Sequence, residues 1–241
     1  MKFGIIVFPG TWSEVDCSYA VKNVLNQKSD YVWHKETDLS KYDCIILPGG
    51  FSYGDYLRPG AIARFSPVMQ SVKRFAESGK YVIGICNGFQ ILCESGLLPG
   101  VLLPNAHLEF RCEWVNLRVE NTNSPFTREM GKEQLLKIPI SHGEGNFFAD
   151  NETLSALKKS ERVVFRYCDE NGNITKSSNP NGSVDNIAGI ISDNGNVLGM
   201  MPHPERSCEQ ILGSVDGKAV FLSVISSFSE TIKTGVVAEE C

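Results

Sequence analysis

The apolar residues of this chain form unbroken short runs in its first half and alternating runs in its second. Residues 3–8 (Phe-Gly-Ile-Ile-Val-Phe), 44–47 (Cys-Ile-Ile-Leu) and 81–85 (Tyr-Val-Ile-Gly-Ile) are continuous. Runs of this length predict strands buried on both faces, as in a parallel sheet. The intervening stretches repeat apolar residues at helical spacing. Residues 14–26 predict a helix with Val15, Tyr19, Val24 and Leu25 near one face. A second helix is marked by Ser66 as cap, Pro67 in the first position, a stripe of Val68, Val72, Phe75 and Ala76, and Gly79 at its end. This β-α-β alternation predicts a parallel sheet wrapped by helices, with chemistry at the carboxyl ends of its strands.

Residues 114–120 alternate apolar and polar, which predicts a strand with one wet face. Further strands are expected at 135–140, 162–167, 187–191 and 197–200. Asn171-Gly172, Asn181-Gly182 and Asn194-Gly195 signal turns, the last joining 187–191 to 197–200 as a hairpin. An outer helix is expected over 218–232 and a frayed tail over 236–241. With no repeat, linker or composition break, residues 1–241 read as a single domain.

Composition narrows the function classes. The 241 residues are 42% hydrophobic and 21% charged, ordinary for a globular protein. A net charge of −5 without a Lys/Arg block argues against nucleic acid or an anionic membrane as partner. The first apolar run is too short for a signal peptide, and none reaches transmembrane length. The eight cysteines lack CxxC or zinc spacing, so no metal site is expected. Cys44 and Cys93 sit within apolar runs and read as reduced core residues, which implies a cytoplasmic chain.

Candidate chemistry centres on Gly84-Ile-Cys86-Asn-Gly88-Phe-Gln90. A cysteine alone is most often a small core hydrophobe. Here a buried strand stops at Cys86 and a helix opens at Asn87-Gly88, so the thiol stands at a strand-to-helix turn beside the positive end of a helix dipole. That is the cysteine form of a nucleophile elbow. Far along the chain, Pro202-His203-Pro204-Glu205 follows another strand. Pro204 favours extended backbone at His203. Residues two apart then face the same way, which lets Glu205 orient the imidazole. The plainer reading of Glu205 is a solvated acid beside Arg206. Gly49-Gly50-Phe51-Ser52-Tyr53-Gly54-Asp55 follows the strand expected to neighbour the cysteine strand. The N–H of Gly50 or Phe51, with that of Asn87, suits an oxyanion hole.

Together these segments resemble the class I (triad) glutamine amidotransferases, whose fold is flavodoxin-like α/β with a largely parallel central sheet flanked by helices. The stretch from Gly49 to Ala61, Cys86-Asn-Gly-Phe-Gln90, Pro139-Ile-Ser141-His142-Gly143-Glu144-Gly145 and Pro202-His203-Pro204-Glu205-Arg206 are similar, within that class, to the glutaminase subunits of phosphoribosylformylglycinamidine synthase. Relatives serving guanylate or carbamoyl-phosphate synthesis usually carry Leu-Gly-His where this chain has Asn87-Gly88-Phe89.

The resemblance implies Cys86 as nucleophile, His203 as base and then acid, and Glu205 as its orienter. It implies that Gln90, Gly49, Gly50 and Ser52 line the glutamine pocket. Ser141, His142, Gly143 and Glu144 match a segment that closes over glutamine, with His142 not a second catalytic histidine. It implies a synthetase partner, a small accessory subunit, and a partner-facing stretch across 105–126. No cofactor is expected on this chain, which has no GxxxxGK[ST] motif. ATP and Mg are expected on the synthetase. The competing readings are a glutaminase serving another acceptor and a cysteine hydrolase of the same fold. The latter relatives lack the late His-x-Glu pair.

Overall fold

A computed structural model describes residues 1–233. The expected tail at 236–241 lies outside the described residues. The continuous apolar runs form β1 (Lys2–Val7), β3 (Cys44–Leu47) and β4 (Tyr81–Ile85), and β2 (Lys28–Trp33) pairs with β1. β2 escapes the sequence pattern because Tyr31 and Trp33 face out while only Ser29 and Val32 are buried. The second half supplies β5 (Val101–Leu103), β6 (Arg111–Val119), β7 (Leu135–His142), β8 (Asn146–Phe148), β9 (Val163–Cys168), β10 (Ile187–Ile191) and β11 (Val197–Met200). The expected hairpin between β10 and β11 is present, antiparallel.

Nine of these strands form one sheet, in the order β2-β1-β3-β4-β11-β10-β9-β6-β7, and β5 pairs with β8 separately. From β2 to β11 every pairing is parallel. From β11 to β7 every pairing is antiparallel. The parallel half therefore puts the carboxyl ends of β1, β3, β4 and β11 on one edge. The loops beginning at Phe8, Pro48, Cys86 and Met201 leave that edge together.

Helices α1 (Glu14–Tyr19), α2 (Pro67–Glu77), α3 (Asn87–Glu94), α4 (Asn151–Lys159) and α5 (Lys218–Lys233) accompany the sheet. In α2 the expected stripe is buried and Pro67 holds the first position. The Ser66 hydroxyl does not cap the helix; it bonds the Tyr53 hydroxyl at 2.8 Å. In the first helix the buried face differs from expectation. Cys17, Ala20, Val21 and Leu25 go inward, while Val15 and Tyr19 are exposed. From Ala20 to Val24 the helix continues as a turn of π-helix.

Candidate active site

Cys86 sits at the junction of β4 and α3 with φ 52° and ψ −106°, a conformation that a side chain rarely adopts. Its N–H donates to the Met200 carbonyl at 2.8 Å, which pins the turn to β11. A glycine is required two residues on, because a Cβ at Gly88 would clash with the Leu47 carbonyl oxygen. The first turn of α3 thus rests directly on the end of β3. The thiol is 5% exposed and donates to the Ser141 carbonyl at 3.6 Å.

His203 and Glu205 are both buried, and His203 Nδ1 and Glu205 Oε1 lie 2.6 Å apart. The pair forms by a route the sequence did not suggest. Pro204–Arg206 is a turn of 3₁₀ helix, so Glu205 reaches back across that turn rather than along an extended strand. Burial acts to lower the pKa of His203. The Glu205 carboxylate and then Cys86 outweigh it and raise the imidazole to about 10. His203 is therefore an imidazolium near neutral pH. Its Nε2 makes no hydrogen bond among the described residues, although Cys86 is near enough to act on its charge. The ring packs against the loop after β3: a Cβ at Gly49 would lie 2.6 Å from His203 Cε1 and 3.5 Å from Cys86 Cβ.

Of the two backbone donors expected on that loop, the structure favours Gly50. The Phe51 N–H donates to the Gly10 carbonyl at 2.9 Å and is not available. This corrects the expectation that Phe51 could serve as oxyanion donor. Strand-like pairing of residues 10–12 with 49–51 consumes its amide and leaves that of Gly50 without a partner among the described residues. The Asn87 N–H, at the start of α3, likewise has no partner there. The Phe51 ring instead lines a cavity of about 170 Å³ with Trp12, Ser13, Gly50, Phe110, Ser141, His203 and Arg206.

The remaining expected pocket residues form a bracket across α3. Asn87 accepts from the Ser52 N–H at 3.2 Å and donates to Gln90 Oε1 at 2.8 Å. Gln90 Nε2 then donates to the Glu144 carbonyl at 2.6 Å. This ties the loop after β3 to the segment after β7. The Ser52 hydroxyl is buried without a partner among the described residues. Burial, then Glu144, pushes Asp55 up to about 6, and burial raises Glu144 as well.

Within the segment expected to close over glutamine, the His142 ring is bonded to Asn105 and Asn181. Nδ1 meets Asn105 Oδ1 at 3.1 Å and Nε2 meets Asn181 Nδ2 at 3.4 Å. Burial, then the charge of His203, lowers it to about 3, so it stays neutral. It shapes the Ser141–Glu144 backbone from behind. Asn105 completes that brace: its N–H donates to the Gly143 carbonyl and its side chain to the His142 carbonyl, both at 2.9 Å.

Sequence reasoning passed over Asn105, Asn181, Ser13 and Asp55. For Ser13 a signal existed, since Gly10-Thr-Trp-Ser13 leaves the parallel edge as Gly49-Gly50 does. The stretch expected to face a partner across 105–126 is split. Phe110 is exposed beside the cavity, whereas Phe126 is fully buried against Tyr81 at the opposite end of β4. Among the described residues no three His, Cys, Asp or Glu side chains converge as metal ligands.

An elbow cysteine, a His–Glu pair and two free amides at one sheet edge define a glutamine-hydrolysing class of site, and comparison with known proteins agrees. The profile of the CobB/CobQ-like glutamine amidotransferase domain matches residues 1–220. The chain is 58% identical over 225 residues to the phosphoribosylformylglycinamidine synthase subunit PurQ of Moorella thermoacetica, covering 93% of this chain and 95% of that one. It is 53% identical over 226 residues to PurQ from Aquifex aeolicus, covering 94% and 100%. The structure of PurLQS from Thermotoga maritima superposes with a TM-score of 0.83 at 41% identity, covering 94% of this chain and 98% of that chain. A glutamine amidotransferase from Thermotoga maritima, at 17% identity and TM-score 0.55 over 99% of this chain and 86% of that one, shares the fold. The chain belongs to the glutamine amidotransferases, in the family of the PurQ subunits.

Proposed function

We propose that this chain is the glutaminase subunit of a phosphoribosylformylglycinamidine synthase, hydrolysing glutamine and passing ammonia to an ATP-dependent synthetase. The observation that carries the chemistry is the buried His203–Glu205 pair packed, through Gly49, against the strained Cys86. The identity of the complex is carried by the relatives, which are PurQ subunits across nearly their whole length.

The Cys86 sulfur attacks the side-chain amide carbon of glutamine, its proton already held at His203 Nε2 in the imidazolium. The oxygen gains charge in front of the Gly50 and Asn87 N–H groups. The imidazolium, held by Glu205, gives its proton to the nitrogen, and ammonia leaves with the C–N electrons. A glutamyl thioester remains on Cys86. His203 then takes a proton from water, the hydroxide attacks the thioester, and the C–S bond breaks to free glutamate, leaving the sulfur beside the re-formed imidazolium. Gln90, Ser52 and the Ser141–Glu144 segment hold the amino-acid end of the substrate.

The partners are the synthetase and a small accessory subunit. ATP and Mg belong on the synthetase, since this sequence has no GxxxxGK[ST] motif. No helix among the described residues is long and apolar enough to cross a membrane. A cytoplasmic setting fits the cysteines among the described residues, Cys17, Cys44, Cys86, Cys93, Cys112, Cys168 and Cys208, all unpaired.

The test is glutamine-dependent formation of formylglycinamidine ribonucleotide by synthetase and small subunits already competent with free ammonia. Glutamine is expected to become a nitrogen donor only when this chain is added. If ammonia supports synthesis and glutamine still does not, the chain serves a different synthetase.

A further inference from the structure

We infer that Arg206 is a positioning residue that locks the His203–Glu205 turn to the loop presenting the Gly50 N–H. The inference rests on the glutaminase reading above and adds a residue to which no role has been given. Arg206 ends the 3₁₀ turn that carries Glu205, and its Nε lies 3.9 Å from Glu205 Oε1. Its two other contacts are long-range. Nε donates to Asp16 Oδ2 at 3.1 Å, and Nη2 donates to Ser13 Oγ at 2.8 Å.

Ser13 is fully buried and is the strut behind the oxyanion loop. Its N–H donates to the Gly49 carbonyl at 3.1 Å, beside that of Trp12 at 3.0 Å. Its Oγ sits 3.2 Å from the point where a Gly49 Cβ would be, on the side that also meets His203 Cε1. The guanidinium fork thus bridges two structures that must keep register during the reaction. One delivers the proton; the other receives the negative oxygen. The fork reaches the oxyanion loop through Ser13, 193 residues from Arg206 in the chain, whose N–H holds the Gly49 carbonyl. A planar fork holds two acceptors in one geometry, which a lysine does not.

The experiment is steady-state glutamine kinetics of the assembled complex carrying Arg206→Ala, Arg206→Lys, Ser13→Ala or the Ser13→Ala/Arg206→Ala pair. Ammonia-dependent synthesis serves as the internal control. For Arg206→Ala, kcat with glutamine is expected to fall about a hundredfold, the scale of a small misplacement of reacting groups, with KM nearly unchanged. Ser13→Ala is expected to fall about tenfold at unchanged KM, and the double variant no further than Arg206→Ala alone, because both break one link. Arg206→Lys should lie between Arg206→Ala and the unaltered chain.

Three results overturn the inference. The first is an Arg206→Ala kcat equal to that of the unaltered chain. The second is a raised KM at constant kcat, which makes Arg206 a glutamine-binding group. The third is additive losses from Ser13 and Arg206, which leaves Arg206 acting on Glu205 alone. Should Arg206→Ala fail to join the complex, Arg206→Lys and Ser13→Ala decide: unchanged kcat in both also overturns it. Failure of the unaltered chain to support glutamine use would instead remove the functional reading itself.

Discussion

Strand β4 has a cavity at each end. The one at its amino end encloses about 610 Å³ and is lined by Tyr81, Ser124, Pro125, Arg128 and Ser227. The one at its carboxyl end, beyond Cys86, encloses about 170 Å³. The larger space is chemically quiet. Ser124 Oγ is hydrogen bonded to Thr127 Oγ1, Ser227 Oγ donates to the Pro125 carbonyl, and Arg128 pairs with Glu230 at 2.6 Å. On the loops that leave the carboxyl ends of the parallel strands, polar groups are left open. Among the described residues, His203 Nε2, Glu205 Oε2 and the Ser52 hydroxyl are buried without partners, and the N–H groups of Gly50 and Asn87 are free. Unsatisfied buried polar atoms destabilise a fold, each by about 1–3 kcal/mol, so a protein retains them where a ligand completes them. Volume alone would have selected the wrong end.

The comparison is broken most severely by removing the sulfur. Cys86→Ala is expected to abolish glutamine-dependent synthesis while ammonia-dependent synthesis by the complex persists; retained glutamine use would move the chemistry away from this end of β4.

Glu205→Gln keeps the shape of the acid and removes its charge. By analogy with the loss of the orienting acid in hydrolase triads, kcat should fall by about 10²- to 10⁴-fold. The charge also has a signature in stability. The folded chain holds a proton on His203 that the unfolded chain releases between pH 6.5 and about 10. The stabilisation is complete below 6.5 and is lost as pH rises across that window. Denaturant midpoints of Glu205→Gln should be flatter there than those of the unaltered chain.

His142 gives the opposite slope. It is kept neutral with a pKa of about 3, against 6.5 when exposed. The unfolded state therefore binds the extra proton, and stability falls as pH drops from 6.5 towards 3. His142→Gln should be less stable at alkaline pH, yet lose less on acidification. An unchanged slope would mean that the ring does not carry the acid sensitivity.

The smallest effect belongs to the amino end. Arg128→Ala breaks a surface ion pair and should change unfolding free energy by no more than about 1 kcal/mol, with glutamine kinetics untouched. A clear fall in kcat would show that the two ends of β4 communicate.

The sequence by itself determined a good part of this. Apolar runs of four to six residues bounded by turn residues favour strands buried on both faces, so β1, β3 and β4 were legible. A cysteine followed by Asn87-Gly88 between a strand and a helix admits few conformations, so the elbow was legible too. His203 and Glu205 were legible as a pair but not in their geometry, because a 3₁₀ turn, set by packing, replaced the extended path.

What only the tertiary structure decided depends on contacts between distant segments. β7 lies at the far edge of the sheet order, yet its end reaches the site, where Pro139 accepts the His203 N–H at 2.8 Å and Ser141 accepts the thiol. Only a sheet coiled back on itself allows that, and coiling leaves no mark in local alternation. Phe51 lost its expected donor role because residues 10–12 pair with its loop. His142 and Arg206 were assigned their partners by residues 37 to 193 positions away. A side chain's type limits what it can bond; which partner it meets is fixed when the parallel strands bring their carboxyl ends to one edge.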